Sequence, residues 1–245
     1  MIAILSALAQ EQAGLVEQLV GARCVTHAGR DFWTGHLHGQ PVVLAVSRIG
    51  KVAAATTAAA LIERFQAVAV VFTGVAGGVA DEVAVGDVVV ATAFVQHDMD
   101  ASPLFPKYQI PMTGKTVFAC DVDYAAALER ACRSGLTAAL HGGQPPRIHC
   151  GLIASGDRFV SSANEVAALV HSLRQHGHHP LAVEMEGAAV AQVCHDYGVP
   201  FAAVRTISDR ADDSAHVDFP QFVDTVASVV ARRIVAAWLQ SLSIK

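Results

Sequence analysis

An α/β sandwich, with helices on both faces of a mixed sheet, is the fold class predicted by this sequence of 245 residues. Three observations carry the prediction. Short runs rich in Val, Ile and Ala alternate with longer amphipathic stretches, the rhythm of α/β proteins. Several of the short runs are apolar throughout, as expected of strands covered on both faces. The chain is 53% hydrophobic and only 16% charged, so it can bury a large core.

The elements follow in order. Residues 2–7 form a first apolar strand, and 10–20 a helix. Residues 31–37 and 42–46, separated by Gly39, read as a hairpin, which makes the sheet mixed. A helix over 52–65 leads into a strand over 68–73 and another over 88–93. Residues 123–134 are helical, 149–154 extended, 163–171 and 186–197 helical, and 201–207 extended. The last helix spans 220–239, where Phe222, Val226, Val229, Val230, Arg233 and Ala237 recur at helical spacing with Arg232 at the edge. The longest polar stretches, 142–146 and 174–180, are too short for linkers, so residues 1–245 are expected to form one domain.

Composition excludes several function classes. A net charge of −5 without a long basic run argues against a nucleic-acid binder. No stretch of about 18 apolar residues is free of charge, so no membrane span is expected. The N-terminus lacks a basic start and reads as a core strand, not a signal peptide. Five scattered cysteines, at 24, 120, 132, 150 and 194, contain no C-x-x-C pair. They read as reduced thiols in a cytoplasmic protein.

Candidate chemistry starts with acids inside apolar runs. Glu184 and Glu186 stand in Val183-Glu184-Met185-Glu186-Gly187, and Asp209 ends Arg205-Thr206-Ile207-Ser208-Asp209. Burying an ionised carboxylate is costly unless it is paired, so such acids are candidate site residues. The alternative is structural: acids at a helix start favour the macrodipole, and Asp209 could cap a turn. Thr73-Gly74-Val75-Ala76-Gly77-Gly78 reads as a glycine turn after a strand, able to bring backbone N–H groups close to a ligand. It is neither G-x-G-x-x-G nor a P-loop. Ser47-Arg48-Ile49-Gly50-Lys51 opens a helix, and its cations could simply be solvated. Phe159, in Gly156-Asp157-Arg158-Phe159-Val160, could stack on a flat ring or belong to the core. His97-Asp98-Met99-Asp100 and His176-Gly177-His178-His179 lack a metal-binding helical spacing, so neither metal nor cofactor is expected. No G-x-S-x-G elbow is present, which weakens acyl transfer.

Taken together, these segments resemble the 5′-methylthioadenosine/S-adenosylhomocysteine nucleosidases of the nucleoside phosphorylase superfamily, from Ile2 to about Leu239. Six segments carry the resemblance in the family's order: Ala7-Leu8-Ala9-Gln10-Glu11, Ile49-Gly50-Lys51-Val52, Thr73 to Gly78, Ser155 to Phe159, Val183 to Glu186, and Ile207-Ser208-Asp209. It implies a three-layer α/β/α sandwich around a mixed, partly closed sheet. It also implies hydrolysis of the bond between adenine and a 5′-thio-substituted ribose, with a nucleoside as partner molecule and a homodimer as assembly. Residues 101–108 would be the loop lent to the partner's 5′ pocket.

The resemblance further implies that Glu11 activates water, that Asp209 protonates adenine N7 and that Ser208 orients Asp209. Glu186 would bind the ribose hydroxyls, Met185 would pack on the sugar, Phe159 would stack on the purine and the Val160 backbone would bond adenine. Ala76, Gly77 and Ile49 would complete the substrate site. The chemistry needs such groups: an oxocarbenium-like transition state forms, and adenine leaves poorly until it is protonated. The chain departs from the family pattern at Ala9 and Gln10, which precede the base, at Val75 in place of Ser, and at Arg48 in place of Gly. The rivals are a phosphorylase of the same superfamily, which would need Arg48 to compensate for Phe72 and Val75, and a non-catalytic nucleoside-binding protein. A related adenine-bearing substrate such as 6-amino-6-deoxyfutalosine stays open.

Overall fold

The structure is a computed structural model that describes residues 1–138 and 145–242. The polar stretch expected at 142–146 therefore lies largely outside the described residues. Among those described, the strands are β1 (Ile2–Ser6), β2 (Val20–His27), β3 (Arg30–Leu37), β4 (Gln40–Val46), β5 (Ala69–Gly78), β6 (Val88–Gln96), β7 (Val117–Ala119), β8 (Ile148–Ser155), β9 (Pro180–Glu184) and β10 (Phe201–Asp209). The helices are α1 (Ala9–Gln12), α2 (Lys51–Glu63), α3 (Val122–Gly135), α4 (Ala163–Gln175), α5 (Gly187–Tyr197), α6 (Ala215–Phe222) and α7 (Ser228–Leu242).

The sheet is mixed and closes on itself in part. Its order is β10-β6-β8-β9-β5-β1-β4-β3-β2, and β10 also pairs with β5. Strands β5, β10, β6, β8 and β9 therefore form a ring, from which β1, β4, β3 and β2 extend as an open wing. β1 is parallel to both β4 and β5, and β3 is antiparallel to β4 as the hairpin pattern predicts. Two hydrophobic layers cover the sheet. One packs α2 and α5 over Leu5, Val70, Phe72 and Phe94; the other packs α3 and α7 over Ile4, Val71, Val90 and Val204. In the second layer Trp238 is wholly buried and lies 5.8 Å from Tyr124 of α3, measured between ring centroids. The three-layer architecture follows because adjacent residues of one strand point to opposite layers, as Val70 and Val71 do.

Local chemistry explains where the chain departs from the elements expected of it. The helix expected over 10–20 is only α1, followed by a 3-10 turn at Val16–Gln18, because Ala13 is extended and Gly14 takes a left-handed φ of +83°. The glycine turn is not a turn: Thr73 to Gly78 continues β5. The expected C-terminal helix is divided into α6, a π-helical turn at Val223–Ala227, and α7. Pro220 inside α6 has no N–H to donate, which favours such irregularity. Strands β2, β7 and β9 have no counterpart in the expected pattern. Among the described residues, no helix is long and apolar enough to cross a membrane.

Candidate active site

β5 is the strand on which the site is built. Its partners β1 and β10 run parallel to it on either side, so the ends of all three strands open on one edge of the sheet. A cavity of about 330 Å³ lies there. Glu11, Ile49, Ala76, Gly77, Phe159, Val160, Met185, Glu186, Ser208 and Asp209 all line it, so the structure brings together all ten residues that the resemblance assigns to the substrate site.

Glu11 comes from α1, just after β1. Its Oε2 accepts the backbone N–H groups of Ala7 and Leu8, each at 2.8 Å, and its Oε1 accepts the Val75 N–H at 3.1 Å. Burial, the strongest influence, raises its carboxyl above the ordinary range. The Leu8 N–H, the Arg205 charge and the N–H groups of Val75 and Ala7 oppose that rise without cancelling it. The result is a carboxyl that holds a proton more readily than an ordinary one.

Asp209 ends β10, opposite Gly77. Its Oδ2 accepts the Ser208 hydroxyl at 2.8 Å and its Oδ1 accepts the Ala211 N–H at 2.7 Å. Two of the three glycines of β5 make room for these acids. A Cβ at Gly74 would stand 2.9 Å from Glu11 Oε1, and one at Gly77 would stand 2.9 Å from Asp209 Oδ1. The glycines therefore admit protein carboxylates to the strand, a role the sequence pattern does not disclose.

Glu186 occupies the N-cap position of α5 but makes no capping bond, because its carboxylate turns away to accept the Gly50 N–H at 2.8 Å. Burial first, and the neighbouring Glu184 charge second, raise its carboxyl well above the usual range. Glu184 is engaged from below. It accepts the Gly187 N–H at 2.8 and 3.0 Å, the Ser155 hydroxyl, and Arg205 Nη2 at 2.8 Å. The Arg205 guanidinium lies 4.0 Å over the Phe72 ring and donates to the Phe72 carbonyl at 3.2 Å.

Phe159 is 44% exposed and meets the edge of Phe219, from α6, at 5.5 Å between centroids. Phe219, Leu8, Ala7, Val75, Arg158, Val183 and Glu184 line the cavity without having been assigned to a substrate site. Phe219 lies three residues before Phe222, in step with the stripe of the last helix but just outside the 220–239 bounds expected for it. Of the neighbouring cations, Arg158 lines the cavity and pairs with Glu165 at 2.7 Å, whereas Arg48 and Lys51 face elsewhere. Arg48, at a left-handed φ of 72°, donates to the Gly29 carbonyl at 2.5 Å, and Lys51 Nζ lies 2.6 Å from Asp98. Among the described residues, no three His, Cys, Asp or Glu side chains gather to hold a metal ion.

The phosphorylase superfamily model matches residues 1–240. The 5′-methylthioadenosine/S-adenosylhomocysteine nucleosidase of Bacillus thuringiensis is 38% identical over 227 residues, covering 92% of this chain and 93% of that one. The chain belongs to the 5′-methylthioadenosine/S-adenosylhomocysteine nucleosidase family. The Neisseria meningitidis nucleosidase in complex with methylthio-immucillin-A has a TM-score of 0.87 at 37% identity, with 98% of each chain covered. A futalosine hydrolase of Helicobacter pylori is also similar, with a TM-score of 0.86 at 31% identity, covering 98% of this chain and 97% of that one. This nucleosidase-family chain shares with both the partly closed mixed sheet on which its cavity opens.

Proposed function

We propose that the cavity binds 5′-methylthioadenosine and S-adenosylhomocysteine and that water cleaves the bond between C1′ and adenine N9. The observation that carries this reading is the convergence of three differently supported carboxylates, Glu11, Glu186 and Asp209, on one largely apolar cavity. Water attacks C1′ and gives its proton to Glu11, whose raised affinity for a proton favours that transfer. The C1′–N9 bond breaks and its electron pair goes to the purine. Asp209, steadied by Ser208, supplies a proton to N7. Glu186 accepts the ribose hydroxyls, with Met185 against the sugar. Phe159 stacks on adenine, and the Val160 backbone bonds its edge. Leu8, Ile49 and Phe219 supply apolar surface for a thioalkyl group, at about 25 cal/mol per Å² buried.

Water, not phosphate, is the nucleophile. The first N–H groups at the start of α2, where an anion would be attracted, already serve protein carboxylates: Gly50 donates to Glu186, and Lys51 to Asp157 at 2.7 Å. Arg48 is turned to Gly29, and Arg205 is committed to Glu184. The enzyme works in the cytoplasm as a single domain in each subunit of a homodimer. The segment 101–108 is the lent loop, with Leu104 84% exposed. Incubation with methylthioadenosine in phosphate-free buffer should yield free adenine and methylthioribose. A rate that needs added phosphate, with a sugar phosphate as product, refutes the reading. The same assay with S-adenosylhomocysteine and 6-amino-6-deoxyfutalosine ranks the 5′ substituents.

A further inference from the structure

Two segments of the cavity wall are tied together behind the cavity. The Ile49–Gly50 turn, leading into α2, supplies an apolar side chain and the N–H that holds Glu186. The 156–160 segment, following β8, supplies Phe159 and Val160. Asp157 joins them: its Oδ1 accepts the Lys51 N–H at 2.7 Å, capping α2 from another loop. Asp98, after β6, closes the circuit. Its Oδ1 accepts Lys51 Nζ at 2.6 Å and its Oδ2 accepts the Asp157 N–H at 2.9 Å. Lys51 Nζ also reaches Gln96 Oε1 at 3.0 Å, and Gln96 bonds Gln192 of α5 at 2.9 Å. The circuit thus reaches the helix that Glu186 begins. None of Asp157, Asp98 and Lys51 lines the cavity.

We infer that Asp157, backed by the Lys51–Asp98 ion pair, is the positioning residue that sets the gap between the Ile49–Gly50 turn and the Phe159 segment, and through Gly50 the direction of Glu186. This rests on the reading of the cavity as a nucleosidase site. Glu11 and Asp209 stand on other elements, α1 and β10, so the circuit governs how the nucleoside is gripped more than how its bond is broken. A displacement of about 1 Å in a positioning wall is enough to cost a large factor in binding or rate.

Steady-state kinetics on methylthioadenosine and its 2′-deoxy analogue test the inference. Asp157→Ala should raise KM for methylthioadenosine roughly tenfold while kcat stays within about threefold. It should also shrink the parent's preference for the ribose over the 2′-deoxy substrate, because Glu186 loses its fixed direction. Asp157→Asn keeps an oxygen for the Lys51 N–H and should restore most of the KM. Asp98→Ala leaves the α2 cap in place and should raise KM by roughly threefold, so the inference stays testable where Asp157→Ala does not fold. Parent-like KM in both alanine variants, or a fall confined to kcat with the sugar preference intact, overturns it. Failure of the parent protein to cleave methylthioadenosine is a separate result, and it counts against the proposed function instead.

Discussion

Glu184 and Glu186 are two residues apart, both buried, and differ in nearly everything else. Glu184 ends β9 and is saturated, with Arg205, Ser155 and backbone N–H groups on both its oxygens. Glu186 begins α5, accepts the Gly50 N–H and faces the cavity, and its proton affinity is raised. The first is a fastening between β9 and β10. The second has spare acceptor capacity that a ligand can fill. Burial alone does not tell these two glutamates apart; the donors the fold has already committed to each of them do.

The largest effect that sharpens this contrast lies with the other cavity-facing acid of raised proton affinity. Glu11→Gln retains shape but cannot take a proton, so turnover should fall by roughly two to four orders of magnitude with folding intact. Near-normal turnover in a folded variant excludes it as the base. Glu184→Ala should act on stability. It leaves Arg205 buried without its partner, and urea denaturation should register a loss of about 3–5 kcal/mol. Unchanged stability with turnover abolished would erase the distinction between the two glutamates.

Smaller effects belong to Glu186 and to pH. Glu186→Gln replaces a carboxyl that burial and Glu184 already hold towards its neutral form, so the melting temperature should hold or rise. Cleavage of methylthioadenosine should fall roughly tenfold to a hundredfold, and of its 2′-deoxy analogue much less, as lost hydrogen bonds to a charged group suggest. Equal losses on the two substrates show that the carboxylate does not read the 2′-hydroxyl. The pH profile is the mildest test. A base must be ionised, and burial raises Glu11 above the ordinary 4.5, so kcat/KM should decline as pH falls through a value above 4.5. An acid limb at or below that value contradicts the raised affinity.

Much of the site was legible because the residues concerned break a local pattern. Glu186 and Asp209 are acids in apolar runs, and the ordered set of six segments supplied Glu11 and Phe159. The α/β alternation was legible for the same reason, since fully apolar strands such as Val70 to Phe72 have no other explanation. What stayed hidden depends on contacts across the fold. β2 is mostly exposed and lacks the alternation that marks a half-buried strand. β9 is five residues long and starts with Pro180. Phe219 meets Phe159 only because α6 folds back over the cavity. The extended state of Thr73 to Gly78 runs against the usual meaning of glycine in a strand; pairing with β10, and with β9 at Gly77 and Gly78, holds it extended.

That strand has one more consequence. Gly74 and Gly77 are three residues apart on β5, which at about 3.3 Å per residue separates them by roughly 10 Å along the chain. One receives Glu11 and the other Asp209. The span between the two acids is thus measured off on a single length of covalent backbone, paired with β10 along its length and with β9 at Gly77, and not on loops that could drift. β5 is a fixed gauge for the spacing of the two acids, while Glu186 and Phe159 reach the same cavity from a helix start and a loop.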